Sequence, residues 1–265
     1  MAEYEFFQVN QNNYVITVTI NRESENNTFS LPVWTELGKI ADEMEQRDDV
    51  RAIILNAAGK HFSAGIDLKI HTKSSSVAHH AHALRKRLPV QQALINKWES
   101  ISLPVIAAIQ GVCIGAGLET ALACDIRIAA DNARFSLPEV RYGISTDLGG
   151  MNKLVNMISL GQAKRFIFAC EEFDAQEALR LGLVEMVVPL DSLQLEAMKL
   201  AQKIASMPPI AVWMAKKGLN LASESSRAAS MLFEQAQCFA CFETEDRQEA
   251  ARAWSEKREP QYKGK

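Results

Sequence analysis

The 265-residue chain reads as an α/β protein with a helical C-terminal end, and three observations predict it. Short β-branched runs, glycine turns and amphipathic stretches alternate through the first half, the grammar of a layered α/β domain. After Gly149 the pattern turns almost wholly helical. Hydrophobic residues make up 48% of the sequence and charged ones 23%, which suits a packed core and leaves little room for disorder.

Residues 4–9 and 14–21 are expected as strands, since Val15, Thr17 and Thr19 alternate with Ile16, Val18 and Ile20, and the turn-rich Asn10-Gln11-Asn12-Asn13 joins them as a hairpin. Ser30 before Leu31 and Pro32 marks a helix start; Trp34, Leu37, Ile40, Ala41 and Met44 then recur at helical spacing. Residues 51–56 follow as a buried strand. Residues 59–73 read as a loop, and the polar, His-rich stretch 74–82 as a mobile lid. A helix is expected over 84–100, broken or started afresh at Pro89. Residues 105–109 form a strand ending at Gly111 and Gly115-Ala116-Gly117, residues 118–124 a short helix, and residues 125–130 another strand. Beyond Gly149, helices are predicted over 151–159, 161–170, 175–181, 193–205 and 210–222, then two over 228–257, with one strand at 185–188. No internal repeat is evident.

Composition excludes several function classes. With 29 basic and 32 acidic residues the net charge is −3, so no global field draws nucleic acid or an anionic membrane. The acidic start Met1-Ala2-Glu3-Tyr4-Glu5 lacks the basic and apolar regions of a leader, and no apolar run reaches spanning length; a soluble, cytoplasmic protein is expected. The odd set Cys113, Cys124, Cys170, Cys238 and Cys241 suits a reducing compartment, and Cys238-x-x-Cys241, with no second ligand pair, reads as buried thiols rather than zinc ligands. His79, His80 and His82 read as exposed loop residues, and Arg85, Lys86 and Arg87 as a solvated helix face. No metal or cofactor is expected.

The chemistry concentrates in three carboxylates, Glu119, Glu139 and Asp147, set among apolar residues and glycines. Brought into one pocket they cannot all ionise at the same pH, so acid and base roles separate. The amides of the Gly115-Ala116-Gly117 turn, unpaired at a helix start, can hold an oxyanion, with the Ala64-Gly65 loop as a second source. Structural alternatives stay open: Glu119 at the positive end of its helix, Glu139 in a solvated loop, Asp147 capping the next helix.

Read together, Phe62-Ser63-Ala64-Gly65-Ile66-Asp67-Leu68, Gly111-x-x-x-Gly115-Ala116-Gly117-x-Glu119, Cys124-Asp125-Ile126-Arg127, Phe135-x-x-Pro138-Glu139 and Gly143 resemble the enoyl-CoA hydratase/isomerase (crotonase) superfamily. The likeness continues through Phe173-Asp174-Ala175, Gly182-Leu183-Val184 and Asp246-Arg247-x-Glu249. It implies a spiral of ββα units over residues 1–200 and a C-terminal helical trimerisation region over 201–265, with trimers stacking into hexamers. It also implies a CoA thioester as substrate, bound along Ser63, Ala64, Gly65, Ile66, Asp67, Leu68 and Gly115. The backbone amides of Ala64 and Ala116 are implied as the oxyanion hole; Ala116 replaces the more usual glycine but still supplies its amide.

Glu119 and Glu139 occupy the positions of the paired glutamates of enoyl-CoA hydratases. Asp147, eight residues beyond Glu139, falls at a position that looks like a glycine in hydratases and like the catalytic aspartate in Δ3,5-Δ2,4-dienoyl-CoA isomerases. The resemblance thus implies double-bond isomerisation in fatty-acid β-oxidation, with Asp147 as base at C2, Glu139 as acid at C6 and Glu119 tuning Glu139. Isomerases of this kind usually carry aspartate at the Glu119 position, which leaves hydration of a 2-enoyl-CoA as the alternative. A noncatalytic RNA-binding member is a third reading, disfavoured because the first long helix carries Glu36, Asp42, Glu43 and Glu45 against only Lys39 and Arg47.

Overall fold

A computed structural model describes residues 3–67 and 77–265. The opening hairpin is β1 (Phe7–Asn12) and β2 (Val15–Ile20), paired from Phe7 opposite Ile20 to Asn12 opposite Val15. Its turn is therefore only Asn13 and Tyr14. Asn13 adopts φ 52°, which asparagine tolerates, so the expected four-residue turn shrinks and Asn10 to Asn12 extend the strand.

There follow α1 (Leu31–Glu45), β3 (Ala52–Ala57), α2 (Val77–Ser100), β4 (Val105–Ile109), β5 (Val112–Ile114), α3 (Ala116–Leu122), β6 (Ile126–Ala130), β7 (Arg134–Ser136), α4 (Gly150–Met157), α5 (Leu160–Phe168), β8 (Phe173–Asp174), α6 (Ala175–Leu181) and β9 (Met186–Val188). The chain closes with α7 (Leu193–Ala205), α8 (Pro209–Glu224), α9 (Arg227–Phe242) and α10 (Glu245–Glu256). Two expectations change here. α2 starts at Val77, so residues 77–82 are helical rather than lid loop, and it runs through Pro89 without restarting. Its C-terminal half is held by buried Gln91, Ile95 and Trp98, whose indole donates to the Leu37 carbonyl of α1 at 3.2 Å. Leu68 and residues 74–76 lie outside the described residues, as do the side chains of His79, His80 and His82.

The main sheet has the order β1-β2-β3-β4-β6-β9, parallel except for the opening hairpin, and a small sheet has the order β5-β7-β8. Every residue of β3 and β4 is buried, as expected of parallel strands covered on both faces. Alternate side chains divide between two layers. Ile53, Leu55, Val105, Ala107 and Ile109 pack with Phe62, Phe135 and α1, while Ile54, Ile106, Ala108 and Ile128 pack against Ala197, Ala201 and Ala205 of α7. Alanines four apart give α7 a flat face that lies directly on the sheet. Residue 200 thus falls inside a helix bound to the sheet throughout.

Successive turns of the chain repeat one plan: a strand in the main sheet, then a short strand in the small one. β4 leads to β5 and β6 to β7; before them, β3 leads to Ser63, which bridges in parallel to Cys113 of β5. The segments following Ser63, β5 and β7 therefore emerge side by side. That stacking brings residues distant in sequence to one edge.

The acidic residues of α1 are tied into the fold. Glu36 accepts the amides of Glu5 and Phe6, Glu43 the Tyr4 hydroxyl, Glu45 the amide and hydroxyl of Ser102, and Asp42 pairs with Lys97. α8 is pinned by buried Lys216, whose Nζ reaches Asp125 Oδ2 at 2.8 Å and the Leu103 carbonyl at 2.9 Å. The last residues fold back, with Asp246 accepting the amides of Lys263 and Gly264. Leu219, Leu232, Phe239, Phe242 and Trp254 stay exposed on α8 to α10, Trp254 at 85%. Among the described residues no helix is long and apolar enough to cross a membrane.

Candidate active site

The Ser63 segment and the turn between β5 and α3 touch through glycines. Gly65 has φ 91° and Gly115 φ 51°, and a Cβ on Gly65 would stand 3.0 Å from the Ile114 carbonyl and 3.7 Å from the Ala116 amide. Ala116 is the first residue of α3, and its N–H has no acceptor among the described residues. The neighbouring loop corrects one expectation. The Ala64 amide donates to the Asn26 carbonyl at 3.0 Å and is spent, whereas the Ile66 amide, two residues on, has no acceptor among the described residues. The pair of open amides is Ile66 and Ala116.

Ser63 also changes role. It is fully buried, its Oγ accepts the Gly65 amide at 3.1 Å, and its main chain pairs with Val112 and Ile114. It shapes the loop, and its side chain faces the interior. Asp67 is half-buried, with its amide on the Phe29 carbonyl at 2.9 Å, and Gly115 donates to the Ser136 carbonyl at 2.9 Å.

Glu119 sits in the first turn of α3 with only 1% exposure. Its Oε1 accepts the amides of Leu148 at 2.8 Å and Gly150 at 2.9 Å, tying α3 to the start of α4. Gly150 has to be glycine for this: a Cβ there would fall 2.8 Å from Glu119 Cγ. Burial pushes the Glu119 carboxyl up to about 8; the charges of Glu139 and Asp147 push the same way, against the two amide bonds.

Glu139 follows β7 and opens a 3-10 turn, Glu139–Tyr142. It is half-buried, and its Oε2 accepts the Thr146 hydroxyl at 3.1 Å. Its Oε1 lies over the neighbouring turn, 3.0 Å from where a Cβ on Gly115 would stand. Burial raises its pKa, opposed by Thr146 and reinforced by the charge of Asp147. Asp147 is half-buried, and its carbonyl accepts Gln92 Nε2 of α2 at 2.6 Å. Its charge acts on both glutamates, so the three carboxyls share one electrostatic neighbourhood.

Elsewhere the sequence reading fares less evenly. Cys238 is exposed on α9 rather than buried, whereas Cys113, Cys124 and Cys170 are buried. A cavity of about 670 Å³ opens beneath α8, lined by Asn96, Leu122, Lys153, Asn156, Lys216 and Leu219 among others, and none of the three carboxylates lines it. Volume alone therefore points away from the acids. Thr146 and Gln92 were not foreseen; neither a threonine in a polar run nor a glutamine on a helix carries a sequence signature of what it will touch.

Two open amides beside three coupled carboxyls define a class of enzyme that can hold an oxyanion while protons move. The family model described as enoyl-CoA hydratase/isomerase matches residues 10–265. The short-chain-enoyl-CoA hydratase of Clostridium acetobutylicum is 37% identical over 245 residues, 92% of each chain. The peroxisomal Delta(3,5)-Delta(2,4)-dienoyl-CoA isomerase of Arabidopsis thaliana is 35% identical over 266 residues, covering 97% of this chain and 96% of its own. The crystal structure of an enoyl-CoA hydratase from Bacillus anthracis superposes with a TM-score of 0.93 at 35% identity, over 98% of this chain and 100% of that one. The chain belongs to the enoyl-CoA hydratase/isomerase family.

Proposed function

We propose that the protein isomerises 3,5-dienoyl-CoA thioesters to the 2,4-dienes. Asp147 removes a proton from C2, the amides of Ile66 and Ala116 hold the negative thioester oxygen of the resulting dienolate, and Glu139 delivers a proton to C6. Glu119, neutral at pH 7 with its pKa near 8, spares Glu139 a second negative neighbour. Every step is a proton transfer and calls for no metal or redox cofactor. The observation carrying this reading is Asp147, a third carboxylate acting on both glutamates where hydration needs only two. The protein is further proposed to self-associate as trimers, or dimers of trimers, through the exposed apolar residues of α8 to α10, and to work in the cytoplasm.

Hydration of a 2-enoyl-CoA is the second reading, favoured by the Glu119 and Glu139 pair and by relatives named as hydratases. Turnover of a 2-enoyl-CoA and a 3,5-dienoyl-CoA by wild type and Asp147→Asn separates the two. Isomerisation lost in the variant supports the proposal; dominant hydration that survives the substitution removes it.

A further inference from the structure

One buried hydroxyl at the site has no part in the scheme above. Thr146 is 2% exposed and has contacts on the sides of both glutamates. Its Oγ1 donates to Glu139 Oε2 at 3.1 Å. Its Cγ2 methyl lies 2.9 Å from where a Cβ on Gly150 would stand, beside Glu119 Cγ at 2.8 Å and Oε1 at 2.9 Å from the same point. The hydroxyl thus faces one acid, and the methyl closes on the backbone whose amide holds the other.

We propose that Thr146 is a positioning residue that fixes which oxygen of Glu139 does chemistry. A carboxyl oxygen accepting the threonine proton is occupied along that direction, so the acidic proton of neutral Glu139 resides on the other oxygen, Oε1. Oε1 is the oxygen over Gly115, one residue from the open amide of Ala116. Proton donation and oxyanion binding therefore face the same space. After transfer the hydroxyl still donates to the carboxylate formed, and a bond to the charged form is the stronger one, so the contact tightens as the proton leaves. Burial raises the Glu139 carboxyl and the hydroxyl pulls it back, which keeps the group from becoming too weak an acid.

The inference rests on Glu139 as the acid of the proposed reaction, and its test separates the two. Thr146→Val keeps the branched shape and removes the hydroxyl, Thr146→Ala removes it without branching, and Thr146→Ser restores it. Carboxyl titration is followed by NMR of protein labelled with carbon-13 at the glutamate side-chain carboxyl, with Glu139→Gln assigning the Glu139 signal, alongside kcat and KM for 3,5-dienoyl-CoA across pH. The expected result is an upward shift of the Glu139 titration in both Thr146→Val and Thr146→Ala. A fall in kcat of about tenfold with little change in KM should accompany it, and Thr146→Ser should recover both. An unmoved titration and unchanged kcat in folded Thr146→Val and Thr146→Ala overturn the role of Thr146. A titration that moves while Glu139→Gln keeps full activity upholds the hold on Glu139 and removes the reaction scheme instead.

Discussion

Glu119 in α3 and Asp125 just after it lie six residues apart and both carry carboxyls raised by burial, yet the protein gives them different partners. Asp125 Oδ2 accepts the Val105 amide at 2.7 Å and Lys216 Nζ at 2.8 Å, so a cation works against the rise that burial imposes on its carboxyl. Next to it, Arg127 donates to Glu185 and to the Leu183 and Cys124 carbonyls. Among the described residues Glu119 is held only by main-chain amides, and nearby carboxylate charge pushes its carboxyl further up. A buried acid given a cation braces the fold. A buried acid left among other acids keeps its proton at neutral pH and stands ready for chemistry.

The sharpest way to break this contrast is to remove one charged partner from each side: Glu139, beside Glu119, and Lys216, beside Asp125. Glu139→Gln should lower kcat about 10²- to 10⁴-fold, the usual weight of a general acid, while the urea midpoint moves little. Lys216→Met should do the reverse: stranding Asp125 costs about 3–5 kcal/mol in urea unfolding, while kcat per folded molecule holds. An equal effect of both substitutions on activity would abolish the distinction.

Stability against pH sharpens it further. Below pH 4.5 Glu119 is protonated in both folded and unfolded chains; between 4.5 and about 8 only the unfolded chain ionises, so burying this group costs stability as pH rises through that window. Glu119→Gln should flatten that decline and leave the variant more stable than wild type at pH 8 by on the order of a few kcal/mol in urea titrations. A wild-type curve with no decline attributable to Glu119 would mean that the carboxyl ionises in the fold. The smallest effect is expected from Gly65→Ala, at φ 91° with the new Cβ 3.0 Å from the Ile114 carbonyl. It should cost about 1–2 kcal/mol in thermal unfolding and lower kcat through the displaced amide of Ile66.

What sequence could disclose follows from which contacts are local. The main-sheet strands and α1 were legible because alternation and helical spacing report burial along one element, and Trp34, Leu37, Ile40, Ala41 and Met44 are indeed all buried; the short strands β5, β7 and β8 of the small sheet, two or three residues each, were not. The three carboxyls were legible from residue type and from the order of motifs around them. The open amide of the Ala64-Gly65 loop was not: whether Ala64 or Ile66 is open depends on the carbonyl of Asn26, 38 residues before Ala64. The start of α2 and its passage through Pro89 escaped for a similar reason, since Trp98 anchors that helix to a carbonyl on α1. Ser63 looked like a substrate contact through its motif, and only the packing of the loop shows that its side chain is buried.

The oxygen cradle formed where the Gly65 loop meets the Gly115 turn is made of peptide groups alone, so every possible residue except proline at positions 66 and 116 would still furnish it. In the proposed reaction, replacing acids around that fixed grip would redirect where a double bond forms or water lands without loosening the thioester. New reactivity on such a scaffold is a matter of redecorating the walls while the hook stays in place.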